Sequence, residues 1–239
     1  MMNVVYGVYR FLGFHICSYL LEKGHQVAGC DWQPEDEEAD EKQLMLGRNV
    51  NFSRCDERWT TDDEVQLYIC LYDYLDNPDA SESKMQQLTE EISLLLAKLQ
   101  KQITEIVVFI PNQMTDHFHC TLREWKIKMK QDYPVRLLYI SELYGPWLPS
   151  SHTRMNVIKK EKTVLKANMS KYIFIDDFLR SWQDIMALTE NEVFIAGKQD
   201  HHWNQDLTTY VIEAKTSLRE GIQLIEEHNE KLEMLRKRF

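Results

Sequence analysis

Glycine and proline are scarce in this chain of 239 residues, numbering eight and six, whereas the two together make up about 12% of an average protein. A sandwich or barrel of many short strands needs a turn roughly every 8–12 residues. The supply of turn residues therefore disfavours that architecture, and helices are expected to be prominent. The five cysteines, Cys17, Cys30, Cys55, Cys70 and Cys120, are odd in number and contain no Cys-x-x-Cys pair. Their spacing writes neither a disulfide framework nor a zinc ribbon, and they read as reduced thiols of a cytoplasmic protein. No apolar run approaches the ~20 residues that cross a bilayer, since even Ile92 to Leu99 is interrupted by polar and charged side chains. The opening Met-Met-Asn-Val-Val-Tyr-Gly lacks a cationic stretch followed by a long apolar run, so a signal peptide is not expected. Positive charge is also in deficit, with 28 Lys and Arg against 38 Asp and Glu and a net charge of −10. That balance repels nucleic-acid phosphates and anionic lipid, so neither nucleic acid nor a membrane is expected as a partner.

The composition does supply a core, because 44% of the residues are apolar. At roughly 150 residues per domain, the length suits one large domain, or one domain with a small lobe. Met2 to Tyr6 is a strand-length apolar run, after which Leu12, Ile16, Tyr19 and Leu20 recur at helical spacing until Lys23-Gly24 stops the helix. Further strand-length runs are Gln26 to Asp31, Asn49 to Phe52 and Leu67 to Leu71. Met85, Leu88, Ile92, Leu95 and Leu99 step by three and four, which predicts an amphipathic helix. Ile106 to Ile110 is an unbroken apolar run of the kind found in a parallel strand buried on both faces. A polar helix from about Thr121 to Gln131 and a strand from Val135 to Ile140 continue the alternation. Strands alternating with helices predict an α/β fold with a doubly wound parallel sheet, whose ligands sit beyond the carboxyl ends of the strands. We expect this domain to occupy residues 1–150. Residues 151–239 are expected to form a small C-terminal α+β lobe with a terminal helix, including strand-like pieces at Tyr172 to Ile175 and Glu192 to Ala196.

Between the first strand and the first helix lies Gly7-Val8-Tyr9-Arg10-Phe11-Leu12-Gly13. A dinucleotide site needs glycine where the chain turns tightly, where backbone meets the pyrophosphate, and where helix packs on strand. Gly7 and Gly13 fill the first and third roles, while Arg10 stands where the middle glycine belongs. Gly7 and Gly13 alone suit simple packing equally well. Other segments extend the pattern: Tyr144-Gly145-Pro146, Ile175-Asp176-Asp177, Glu192 to Gly197, and Thr216 to Gly221. Taken in order, these resemble the NAD-dependent epimerase/dehydratase family, the extended short-chain dehydrogenases, which implies a Rossmann-like fold across nearly the whole chain. The resemblance assigns Gly7, Arg10 and Gly13 to the cofactor turn, Asp31 to the ribose and Asp56 to the adenine edge. NAD is the cofactor it implies, since the Asp31 carboxylate would oppose a 2′-phosphate. The alternative for Asp31 is a solvated strand-end acid, and for Asp56 a loop acid.

The family's hydride chemistry uses a Tyr-x-x-x-Lys pair, in which a nearby ammonium lowers the pKa of the phenol. His117 to Tyr133 contains no such pair, and Tyr133 adjoins Pro134. Pro111-Asn112-Gln113-Met114-Thr115 replaces the hydroxyl-bearing strand end, leaving Thr115 as the single candidate for a catalytic hydroxyl. Tyr72-Asp73 stands where the family has small residues, so a ring and a negative charge are expected to crowd the pyrophosphate. His117-Phe118-His119-Cys120 and His201-His202 have metal-ligand residue types, but no convergent set of four is legible, and they read as loop residues. Asp176-Asp177 is expected to cap the helix that follows it. Ser217 and Glu220 make a capping box, and Leu218, Ile225, Leu232 and Phe239 recur at one heptad position. That recurrence suits a homodimeric seam or a helix packed on its own domain. Two functional readings follow. One is a catalytically inactive, diverged epimerase-like protein acting as a binding or regulatory module for a protein partner. The other is an NAD-dependent oxidoreductase or sugar-nucleotide epimerase whose catalytic residues lie elsewhere.

Overall fold

The alternation of short apolar runs and amphipathic segments folds into parallel strands joined by helices. The computed structural model describes residues 1–31, 38–56, 58–75, 82–112, 116–148, 172–198 and 207–237. The first strands and helices are β1 (Met2–Tyr6), α1 (Phe11–Glu22), β2 (Val27–Cys30), α2 (Ala39–Leu46), β3 (Phe52–Arg54) and β4 (Val65–Cys70). They are followed by α3 (Tyr72–Leu75), α4 (Glu82–Leu99), β5 (Ile103–Pro111), α5 (Asp116–Asp132) and β6 (Val135–Ile140). The remaining elements are β7 (Leu143–Tyr144), β8 (Ile173–Phe174), α6 (Ile175–Arg180), α7 (Trp182–Ala187), β9 (Glu192–Gly197), β10 (Thr208–Ile212) and α8 (Leu218–Arg236). The main sheet has the strand order β10-β9-β6-β5-β4-β1-β2-β3. Its β3-β2-β1-β4-β5-β6 portion is the doubly wound, Rossmann-like order, which reverses beside β1. β1 pairs in parallel with β2 and with β4.

Two compact units divide the chain, Met1–Tyr139 with Glu190–Glu192, and Ile140–Thr189 with Val193–Phe239. In the first, one face of the sheet is covered by α4 and α5. Leu88, Ile92, Leu95 and Leu99 meet Leu67, Ile69, Ile106, Val108 and Ile110 in a continuous apolar cluster, each such side chain contributing about 1.5–3 kcal/mol relative to exposure. α1 buries Phe11, Leu12, Ile16, Cys17 and Leu20 and stops where the Gly24 N–H closes onto the Leu21 carbonyl at 2.9 Å. The expected strand at Asn49 begins later, at Phe52. Asn49 is spent on a turn, its Oδ1 accepting the Asn51 N–H at 3.0 Å.

The second unit corrects two expectations. Ile175 leaves the strand and opens α6. Asp177 does not cap its own helix: the residue is buried, and its Oδ2 accepts the backbone N–H groups of Lys215 and Thr216 at 3.1 and 3.0 Å, while Arg180 pairs with Oδ1. This carboxylate holds the segment leading into α8. Ser217 does cap α8, accepting the Glu220 N–H at 3.2 Å. Leu218, Ile222, Ile225 and Leu232 are buried, so the heptad positions among the described residues are used inside the chain. Phe239 lies outside the described residues. No helix among them is long and apolar enough to cross a membrane.

Candidate functional site

The carboxyl ends of β1, β2 and β4 surround the glycine turn. Gly7 has a φ of +83°, a backbone state that a side chain disfavours, and its N–H donates to the Cys30 carbonyl at 2.7 Å. A Cβ on Gly13 would lie 2.0 Å from the Gly7 carbonyl oxygen. Both glycines therefore serve the turn as their positions suggested: one bends the chain, and the other lets α1 start directly beneath it.

The first turn of a helix has backbone N–H groups without helical partners, and its dipole favours an anion there. This is where a Rossmann-like domain receives pyrophosphate. Here the anion is internal. Asp73, from the short α3 after β4, places Oδ2 2.9 Å from the Leu12 nitrogen and accepts its N–H. Arg10, the residue immediately before α1, makes no side-chain cap. Its guanidinium instead lies 4.3 Å from the centre of the Tyr74 ring, and its Nε is 3.6 Å from Asp31 Oδ2.

Tyr74 completes the arrangement. Its hydroxyl donates to Asp31 Oδ1 at 3.4 Å, its ring stacks on Tyr6 with centroids 6.1 Å apart, and its Cε2 lies 3.3 Å from the place a Gly7 Cβ would occupy. Burial, reinforced by Asp31, pushes the Tyr74 phenol well above its ordinary pKa, so it remains protonated and donates. Burial opposes the Arg10 charge, but the Asp31 carboxylate and the face of the Tyr74 ring hold it as a guanidinium. Asp31 is only 5% exposed, and the solvated strand-end reading is corrected: its carboxylate faces a cation and a phenol. The ring lying on the glycine turn belongs to Tyr74 rather than to Tyr72, which is fully buried.

Asp56 is exposed, and its Oδ1 accepts the N–H groups of Arg58 and Trp59 at 2.8 and 2.9 Å. It shapes its own turn. Thr115 lies outside the described residues, as do His201 and His202; the side chains of His117, His119 and Cys120 also lie outside them. Among the described residues no group of three His, Cys, Asp or Glu converges as a metal site.

A phenol–ammonium pair does exist elsewhere in the first unit. Lys126 Nζ donates to the Tyr139 hydroxyl at 2.5 Å, and that hydroxyl donates to Glu192 Oε2 at 3.1 Å, with Lys130 pairing to Oε1. Burial and Glu192 push the Tyr139 pKa up. The phenol is held as a donor, the opposite of what a base requires. Sequence reasoning missed this pair because its members lie on different elements. It also missed the capping role of Asp73 and the position of Tyr74, for which no local pattern gives a signal.

These side chains crowd the place where a dinucleotide's pyrophosphate would lie. Asp73 accepts one of the first-turn N–H groups open to a phosphate, and the Tyr74 ring lies against Gly7. The site is a network of an aspartate cap, an aromatic ring and a cation–carboxylate pair.

No family model and no curated protein matches the sequence. Solved structures do match. A UDP-glucose 4-epimerase from Thermotoga maritima is 15% identical, with 97% of this chain and 99% of that chain covered and a TM-score of 0.60. The NAD-dependent NDP-hexosamine 5,6-dehydratase TunA is 12% identical over 96% and 98% of the two chains, with a TM-score of 0.61. The Bordetella bronchiseptica enzyme WbmH, solved in complex with NAD+, is 11% identical over 96% and 98%, with a TM-score of 0.58. At these identities the likeness establishes a shared fold, the Rossmann-like α/β architecture of NAD-dependent epimerases and dehydratases.

Proposed function

We propose that this chain, built on the epimerase and dehydratase fold, is a catalytically inactive binding or regulatory module. The observation that carries the reading is the Asp73 carboxylate on the Leu12 N–H, because it places a fixed negative charge where a cofactor phosphate would have to sit. Tyr74 over Gly7 and Arg10 against Asp31 support it independently. The groups that would hold the cofactor for a hydride transfer are engaged with one another.

Thermal melts with millimolar NAD, NADH, NADP and NADPH test this directly. A ligand at 100 times its Kd stabilises by about 2.7 kcal/mol, or on the order of 5–10 °C for a chain of this size. We expect almost no shift. A clear upward shift with NAD or NADH, matched by micromolar affinity in calorimetry, would overturn the proposal in favour of the oxidoreductase reading.

The proposed partner is a protein, and a second copy of the chain is the first case to test. The heptad residues Leu218, Ile225 and Leu232 are buried within the chain, so self-association through α8 would use the exposed Leu224, Met234 and Leu235. Light scattering should give twice the monomer mass, and Leu235→Glu should reduce it. A monomeric parent protein at micromolar concentration would refute self-association.

A further inference from the structure

Cys30 ends β2 and Cys55 directly follows β3. These strands run parallel, with Val27 opposite Phe52, Ala28 opposite Ser53 and Gly29 opposite Arg54, and the Cys55 N–H donates to the Gly29 carbonyl at 2.8 Å. Continuing that register by one residue sets Cys30 beside Cys55. Adjacent strands lie about 4.8 Å apart, inside the range of roughly 4.4–6.8 Å between the Cα atoms of a disulfide. Both side chains enter the same apolar cluster, and both thiols are free. Register and burial therefore place the two cysteines side by side in one apolar cluster.

The pair is chemically asymmetric. The adjacent Cys30 thiol and the nearby Lys98 ammonium favour the Cys55 thiolate against the opposing effect of burial, so its pKa falls. Lys98 is fixed close by, its Nζ donating to the Asp56 carbonyl at 3.0 Å. Burial holds Cys30 as a thiol. Cys17 and Cys70 are both pushed upward by burial, which leaves them poor nucleophiles. Cys55 is itself buried, but its chain neighbours Arg54 and Asp56 are exposed at the end of an edge strand.

We propose that Cys30 and Cys55 form a reversible dithiol–disulfide pair oxidised by a peroxide. The Cys55 thiolate attacks one peroxide oxygen and the O–O bond breaks. The departing oxygen leaves as hydroxide and takes a proton to become water, and Cys55 becomes a sulfenic acid. The Cys30 sulfur then attacks the Cys55 sulfur, the S–O bond breaks, and a second water leaves with the Cys30 proton. Two thiols and one peroxide become one disulfide and two waters. The pair lies directly under the glycine turn, because the Cys30 carbonyl accepts the Gly7 and Val8 N–H groups at 2.7 and 3.3 Å. Oxidation would fasten the strand end that carries this turn and Asp31 to the neighbouring edge strand. The inference does not depend on whether a nucleotide binds.

The full chain is treated with hydrogen peroxide, alkylated, digested and mapped by mass spectrometry, with and without subsequent dithiothreitol. The expected result is a peptide pair joined through Cys30 and Cys55, with both thiols lost to alkylation and regained on reduction. Cys30→Ser and Cys55→Ser should each abolish the cross-link, whereas Cys17→Ser and Cys70→Ser should keep it. The proposal is overturned if Cys55 stays alkylatable, if it proceeds to sulfinic acid with no cross-link, or if the cross-link joins another pair. Should a serine variant fail to fold by circular dichroism, the peptide map of the parent protein decides alone.

Discussion

Replacing Asp73 with alanine isolates the contact on which the functional reading turns. The Asp73 carboxylate accepts the Leu12 N–H at 2.9 Å at the positive end of a 12-residue helix. Loss of a capping side chain costs about 0.5–2 kcal/mol, and a carboxylate at a helix N-terminus is worth roughly 0.3–1 kcal/mol, up to about 2 in a partly buried setting. These figures overlap, since both describe one carboxylate at one helix end, so we expect about 1–2 kcal/mol in total. For a protein of this size that is a fall in Tm of about 2–8 °C. The variant should also gain a property that the parent lacks. With the internal anion gone, the first turn of α1 is open to an external one, and inorganic phosphate should raise the Tm of Asp73→Ala but not of the parent. Phosphate at ten times its Kd would return about 1.4 kcal/mol, most of what the substitution removed. Differential scanning calorimetry over a phosphate titration at constant ionic strength reads both effects, and Asp73→Asn separates charge from shape. A variant as stable as the parent, or equal phosphate dependence in the two, would refute the idea that Asp73 stands in for a ligand phosphate.

Carboxylates outside the glycine turn can be tested in the same way. Asp177→Ala removes the buried carboxylate that accepts the N–H groups of Lys215 and Thr216; hydrogen bonds to a charged group contribute about 1.5–3 kcal/mol, and water can reach the exposed Lys215, so urea unfolding should show a loss of about 1.5–3 kcal/mol, and a loss under about 1 kcal/mol would remove the anchoring role assigned to Asp177. Glu192 has a lowered pKa, because burial, which would raise it, is outweighed by hydrogen bonds from Lys130 and Tyr139 and by nearby Lys126. Its contribution to stability is therefore fully present above the ordinary carboxylate pKa and is lost as pH falls through the lower folded value. Glu192→Gln should destabilise the protein at neutral pH and flatten the acid limb of stability against pH; an unchanged acid limb would count against the assignment.

The periodicity of apolar residues was enough to place β1, α1, α4, β5 and β6, because each buries a face whose pattern is local: a helical repeat in α4, and an unbroken run where β5 is covered on both sides. The roles of Gly7 and Gly13 were legible for the same reason, since a tight turn and a close helix start are properties of a few consecutive residues. Tertiary structure alone decided what fills the site. Asp73 meets Leu12 across 61 residues of chain, Tyr74 reaches Asp31 across 43, and Asp177 finds Lys215 and Thr216 across 38 and 39. A carboxylate carries no mark of which N–H it will accept. Composition and spacing show that an acid follows β4, but its charge caps α1 only because the parallel pairing of β1 with β4 brings that strand end alongside the helix start.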